Sequence, residues 1–136
     1  IVVALILVIV CFFGYQYLST PKTVPIQESK IFSEEKVLSS SKHIIELVNQ
    51  KKYQDIKLLC SDKLKPAFDV ESFEKGLEQL GEIGEFQKIS TYEFIEYKDN
   101  GQSVAVGDIV TLNQKRTVIY RLTFDKDLKL EGIYFR

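Results

Sequence analysis

The stretch EFQKISTYEFIEYKDNG, residues 85–101, decides the fold of this 136-residue chain. Before it, apolar residues recur every three or four positions, whereas within and after it they recur at every second position. Residues 85–97 are rich in aromatic side chains, and Asp99-Asn100-Gly101 supplies residues that tolerate positive φ in a tight hairpin. The stretch therefore predicts the first strand of an antiparallel sheet and the turn into the second.

Three further strands are predicted after this turn. The first of them places four aliphatic residues on one face, with Asp108 among them: Val104, Val106, Val110 and Leu112. The next alternates cleanly after a polar turn at residues 113–116, and one of its faces carries Val118, Tyr120, Leu122 and Phe124. The last runs from Leu128 to Arg136. Together with residues 85–97 they predict a four-stranded antiparallel meander.

Three helices are predicted before the sheet. The first begins after Ser33 and carries an apolar stripe to Val48, and the second covers residues 53–60. The third has Asp69 as its N-cap and Gly81 as its C-terminal stop. The predicted fold class is α+β, with three N-terminal helices packed on one face of a four-stranded, strongly bent antiparallel sheet.

An apolar segment precedes this domain. Residues 1–18 contain no charge, and as a helix they would reach about 27 Å, close to the ~30 Å hydrocarbon core of a bilayer. We expect one transmembrane helix here, a signal anchor, followed by a Pro-broken linker at residues 19–32 and the α+β domain at residues 33–136. The alternatives are a cleaved signal peptide, a lipidated Cys11 and a buried core helix.

The far end of this segment predicts its orientation. Aromatic residues between Phe12 and Tyr17 favour the membrane interface, and a polar linker follows them. We therefore expect a single-pass protein of the cell membrane, bound to it through residues 1–18, with its C-terminal domain outside the cytoplasm.

Composition limits the chemistry of the domain. The 18 Lys and Arg balance 19 Asp and Glu, which excludes the basic excess of a nucleic-acid-binding protein. The two cysteines, Cys11 and Cys60, lie on opposite sides of the predicted membrane boundary, so no disulfide is expected. His43, the single histidine, is opposite the apolar stripe of its helix and is expected in solvent, and Cys60 is expected to be a small buried hydrophobe. We expect no metal site and no cofactor.

Three groups of residues resemble a known bacterial family. They are Val48-Asn49-Gln50-Lys51-Lys52-Tyr53, then Leu80-Gly81 with Gly84-Glu85-Phe86, and the terminal Gly132-Ile133-Tyr134-Phe135. Residues 36–136 are similar to bacterial domain of unknown function family 3887 and, more broadly, to the nuclear-transport-factor-2-like (cystatin-like) cone fold. The resemblance implies a cone behind a signal or anchor at the outer cell surface, dimerisation through the sheet, and no catalytic residue.

Two functions are compatible with these features. The first is a non-catalytic binding or interaction module, with a pocket for a small ligand between helices and sheet, or a sheet that binds a protein partner or a second copy. The pocket candidates are Asp108, Tyr120 and Tyr134. The alternative is a small isomerase-like enzyme in which a buried Asp108 transfers a proton and Tyr120 or Tyr134 donates to the oxyanion. Against it, Gly107 would form a β-bulge that turns Asp108 outward.

Overall fold

The computed structural model describes residues 22–99 and 101–136. The predicted transmembrane helix at residues 1–18 lies outside these residues, and the described fold therefore does not include it. Among the described residues, no helix is both long enough and apolar enough to cross a membrane.

Three α-helices occur where the sequence predicts them: α1 (Glu34–Asn49), α2 (Tyr53–Leu58) and α3 (Val70–Glu78). The hydroxyl of Ser33 caps α1 by accepting the Lys36 N–H at 3.4 Å, and Asp69 caps α3 by accepting the Ser72 N–H at 3.1 Å. Gly81 adopts a φ of +79°, but α3 ends before it, with Gln79 rather than Gly81 at its C-cap. Short 3-10 helices cover Ile26–Glu28 and Lys65–Ala67.

The sheet has five strands, and the prediction of four is wrong. They follow chain order across one antiparallel sheet: β1 (Lys22–Pro25), β2 (Phe86–Asp99), β3 (Gln102–Asn113), β4 (Thr117–Phe124) and β5 (Leu130–Phe135). The additional strand, β1, lies in the predicted linker and pairs with the end of β2. The sequence did not predict β1 because Pro25 argues against a strand. A proline is tolerated in a strand only at the edge of a sheet, and β1 lies at such an edge.

The residues after β1 also belong to the domain. Ile26 is 1% exposed and Phe32 is 6% exposed, and both join the hydrophobic core. The predicted linker is therefore packed against the fold from Lys22 onward.

The core lies between the helices and one side of the sheet, which we call the inner face. In β4 the inner face carries the four residues predicted to share a face: Val118, Tyr120, Leu122 and Phe124. In β3 the inner face carries Ala105, Ile109 and Thr111, because these residues pair with core residues of β4. The aliphatic face predicted for β3 therefore lies on the opposite side, the outer face of the sheet.

Gly107 does not form the bulge expected of it. It pairs in regular register with Phe94, and the ring of Phe94 lies over it so closely that a Cβ on Gly107 would be 2.1 Å from Phe94 Cδ1. The register shifts between β2 and β3 occur earlier, between Phe86 and Lys88 and between Ile89 and Thr91. Gly107 is glycine because an aromatic ring occupies the space of a side chain.

The free edge of β5 is bonded to the segment that follows α2. The Leu130 N–H donates to the Leu59 carbonyl at 2.9 Å, and the Ser61 N–H donates to the Leu130 carbonyl at 2.8 Å. Between them Cys60 is 2% exposed, and its thiol donates to the Ile56 carbonyl at 3.4 Å. This segment therefore joins the helical layer to the last strand.

Candidate functional site

Asp108 lies on the outer face of the sheet, where it is paired. Its Oδ1 and Oδ2 accept hydrogen bonds from Arg121 Nε and Nη2 at 2.7 and 2.9 Å. The two side chains are 47% and 49% exposed. A carboxylate that is half in solvent and held by a guanidinium is not the desolvated base that proton transfer requires.

The two candidate tyrosines lie on opposite sides of the sheet. Tyr134 pairs with Arg121 across β4 and β5, so Asp108, Arg121 and Tyr134 form a row on the outer face. Tyr120 lies in the core with 1% of its surface exposed, and burial raises the pKa of its phenol. The structure therefore places Asp108 and Tyr134 on the same face, on either side of Arg121, and separates both from Tyr120. The proton-transfer hypothesis requires a buried carboxylate at Asp108, and the structure places this carboxylate half in solvent.

The buried acid of the domain is a different residue. Glu96 pairs with Ala105 on the inner face and is 2% exposed, and its Oε2 has no hydrogen-bond partner among the described residues. The sequence pattern could have identified Glu96. It is two residues from the core residue Phe94 on the same strand, so the two side chains share a face.

The two register shifts in β2 turn several large apolar side chains to the inner face. Phe86 pairs with Asn113, Ile89 with Thr111 and Tyr92 with Ile109, all of which lie on that face. Phe86 is 40% exposed and Tyr92 is 43% exposed. The first half of β2 thus presents apolar and aromatic surface that the helices do not fully cover.

A groove runs between α1 and this part of β2, and we call it the helix-strand groove. It has a volume of about 610 Å³. The α1 wall is formed by residues spaced three or four apart, which places them on one side of the helix: Lys42, Ile45, Glu46 and Asn49. Gln50 adds a second amide, and β2 contributes Phe86, Lys88 and Ile89.

A second cavity adjoins the groove at the end of the domain, and we call it the end cleft. It has a volume of about 660 Å³ and lies between the end of α1, the helix α3 and the loop at residues 81–86. Asn49 and Phe86 line both cavities. The loop is joined to the turn after β3 by a hydrogen bond from the Gln114 N–H to the Glu85 carbonyl at 2.8 Å. A Cβ on Gly84 would be 2.6 Å from Gln114 Cβ, so this close approach requires glycine.

The floor of the end cleft includes a phenol in an acidic setting. Tyr53 is 8% exposed, and its ring meets that of Phe73 edge-on at 5.5 Å. Burial raises the pKa of Tyr53, and the carboxylates of Glu74 and Glu78 on α3 raise it further. Both glutamates line the cleft.

The remaining candidates have structural explanations. His43 is exposed and Cys60 is buried, as predicted. Burial raises the pKa of the Cys60 thiol to about 12, which keeps it protonated and unreactive at neutral pH. Within residues 22–99 and 101–136, no three potential ligands among His, Cys, Asp and Glu come close enough to hold a metal ion.

Comparison with known proteins gives a family and a fold. The family model DUF3887, described as a protein of unknown function, matches residues 41–133. The NMR structure of a protein from Ruminococcus gnavus ATCC 29149 superimposes with a TM-score of 0.72, over 82% of this chain and 97% of that chain. The two sequences are 21% identical, so this likeness concerns the fold alone. No curated protein matches the chain.

Proposed function

The chain belongs to the DUF3887 family, and we propose that it is a non-catalytic binding module that holds a small ligand in the helix-strand groove. The observation that carries this proposal is Phe86, a large aromatic side chain that is 40% exposed on the wall of a cavity of about 610 Å³. Small-molecule sites in proteins have volumes of roughly 300–1,000 Å³ and combine apolar walls with a few polar groups.

The lining of the groove has this composition. Ile45 and Ile89 supply apolar surface beside Phe86, and the amides of Asn49 and Gln50 supply donors and acceptors. A ligand that covers Phe86 would remove apolar surface from water, at about 25 cal/mol for each Å². The groove therefore offers both a source of affinity and groups that can orient a ligand.

Binding accounts for the geometry better than proton transfer does. Asp108, the residue proposed as the base, is on the outer face of the sheet and is paired with Arg121. The groove lies on the inner side, where α1 and the residue after it supply Lys42, the carboxylate of Glu46 and the amides of Asn49 and Gln50.

We also propose that the fold is of the nuclear-transport-factor-2-like type and that the domain lies outside the cytoplasm. The helices on one face of an antiparallel sheet support the fold type. The charge-free run at residues 1–18 supports attachment to the cell membrane. A reporter enzyme that is active only outside the cytoplasm, fused after Arg136, should be active in cells, and an inactive reporter would contradict this location.

Self-association through the sheet is a second candidate function, and the outer face supports it. Its aliphatic residues do not join the core: Ile95, Val104, Val106, Val110, Leu112 and Ile119. Sedimentation of the full chain in detergent should show a dimer that Val110→Lys dissociates and that Lys129→Ala, an exposed change elsewhere, does not. A monomer at every protein concentration would contradict this candidate.

The binding proposal is tested by a fragment screen against the purified full chain. Aromatic and heterocyclic fragments should bind, and Phe86→Ala should weaken them about fivefold or more, because it removes the exposed ring. Leu58→Ala is the matched control, since Leu58 is 66% exposed and lies outside both cavities. Fragments that bind the Phe86→Ala variant equally well, or no binding at all, would contradict the proposal.

A further inference from the structure

We infer that the ligand of this site is a short peptide with a cationic group at one end and an anionic group at the other, lying across Phe86. The inference rests on the proposed function and names the class of ligand. In it, the cationic end occupies the end cleft and the anionic end occupies the helix-strand groove.

The two cavities adjoin. Asn49 and Phe86 line both of them, so a ligand that passes over Phe86 would reach from one cavity to the other. Each cavity alone, at about 610 and 660 Å³, has the size of a small-molecule site. A ligand that occupies both is longer than a typical metabolite.

The two cavities differ in charge. The helix-strand groove is lined by the cation Lys42 and by the anion Glu46, whose carboxylate accepts a hydrogen bond from Gln50 at 3.3 Å. Lys88 also lines it, although this residue pairs with Leu112 of the outer face. The end cleft carries one cation and three anions: Lys51, Glu74, Glu78 and Glu85. An extended ligand with one charge of each sign would match this arrangement in only one direction.

The described residues do not neutralise these charges through ion pairs. Lysines nearby form ion pairs, Lys75 with Glu71 at 3.3 Å and Lys115 with Glu82 at 2.7 Å. Among the described residues, no charged group that lines either cavity takes part in an ion pair. Their potential is therefore available to a bound ligand.

Specific groups are present at the acidic end and in the middle. A ligand ammonium in the end cleft would meet the carboxylates of Glu74 and Glu78, which would attract it by charge. Between the ends, the Asn49 side chain can both donate to a carbonyl and accept from an N–H. Those are the two groups of a peptide unit, and Phe86 beside them can cover an apolar side chain.

The experiment begins with a displayed library of random hexapeptides selected on the purified full chain. The selected sequences should carry Lys or Arg toward one end and Asp or Glu toward the other. The consensus peptide is then synthesised with a fluorophore and its affinity is measured by anisotropy. Selection of no peptide, or of peptides without this charge pattern, would overturn the inference.

Charge substitutions test the direction of binding. Glu74→Lys with Glu78→Lys, and separately Lys42→Glu with Lys88→Glu, should each weaken the consensus peptide about tenfold or more. The chain with all four substitutions should prefer the peptide of reversed charge order. The controls are Glu71→Lys and Lys36→Glu, which lie on the same helices outside both cavities. If neither double substitution changes the affinity for the consensus peptide, the inference is overturned.

Two further measurements keep the outcomes separate. Thermal melting of each variant verifies folding, and Glu74→Gln with Glu78→Gln replaces the reversed pair if that pair unfolds. Fragments that bind at Phe86 while peptides do not would leave the proposed function standing and overturn the peptide ligand. If neither binds at Phe86, both proposals fail.

Discussion

The ring of Phe94 lies directly over Gly107 on the neighbouring strand. The nearest approach of a hypothetical Cβ on Gly107 to this ring is 2.1 Å, to Cδ1, and Cε1 follows at 2.2 Å. The ring is 2% exposed and belongs to the core, so it cannot move aside into solvent. Two residues that face each other on β2 and β3 therefore share the volume of one large side chain.

Gly107→Ala should destabilise the domain by about 1–3 kcal/mol, because the added methyl group overpacks the contact with Phe94. Urea denaturation measures the loss. Adding Phe94→Leu should cost less in the Gly107→Ala chain than in the wild-type chain, because the smaller side chain leaves room for the methyl group. If the costs of the two substitutions simply add, the ring of Phe94 can move aside to admit the methyl group.

The Asp108–Arg121 pair should contribute little to stability although its geometry is bidentate. Both side chains are about half exposed, so a double-mutant cycle with Asp108→Asn and Arg121→Gln should give a coupling energy below about 1 kcal/mol. Raising the salt concentration should reduce it further. A coupling of several kcal/mol would mean that the pair is shielded from water.

Cys60 should be chemically inert in the folded chain. In a Cys11→Ser background, iodoacetamide at pH 8 should modify Cys60 only as fast as the domain opens, and quickly in urea. Fast modification of the folded chain would contradict the burial of the thiol.

The same thiol gives a stability that depends on pH. Its pKa is about 12 in the folded state against an ordinary value of 9.0, so the unfolded chain loses the proton first. The contribution of the protonated thiol to the free energy of unfolding is complete below pH 9 and is lost as the pH rises from 9 toward 12. Cys60→Ala should remove this part of the alkaline loss, whereas the raised pKa values of Tyr53 and Tyr120 leave a loss above pH 10 in both chains.

Glu96→Leu should stabilise the domain by about 1–3 kcal/mol, since a buried oxygen without a hydrogen-bond partner carries a desolvation cost. Thermal and urea unfolding both measure the gain. Glu93→Leu is the matched control, because Glu93 is exposed on the outer face of the same strand and should change stability little. A loss of stability on Glu96→Leu would indicate that the carboxylate has a partner.

The helices and β4 could be predicted because each depends on local patterns. Ser33 and Asp69 cap the helices they precede, and the alternation of β4 distinguishes a buried face from a polar one. In β3 the pattern predicts which residues share a face, but not which of the two faces is buried. Ala105 and Gly107 on the inner face are no more apolar than the valines on the outer face. The ring of Phe94 on the neighbouring strand explains why Gly107 faces inward.

The binding surface could not be predicted from the same patterns. Phe86, Ile89 and Tyr92 share a face only because two register shifts occur between them, and no residue in that stretch marks a bulge. Asn49 and Gln50 lie in the stretch 48–53 that carries the family resemblance, but their position beside β2 depends on tertiary packing. Of the residues that the sequence predicts for the pocket, Asp108 and Tyr134 lie on the other side of the sheet and Tyr120 lies in the core.

The two edges of the sheet protect the domain against aggregation in different ways. At one edge, β1 has four residues and ends in a proline, so it offers a short template with a missing donor. At the other, the Leu59 and Ser61 backbone occupies the N–H and the carbonyl of Leu130, which an added strand would otherwise use. Growth of cross-β assemblies from either edge is therefore hindered, and specific association is left to the faces of the sheet and to the cavities beneath it.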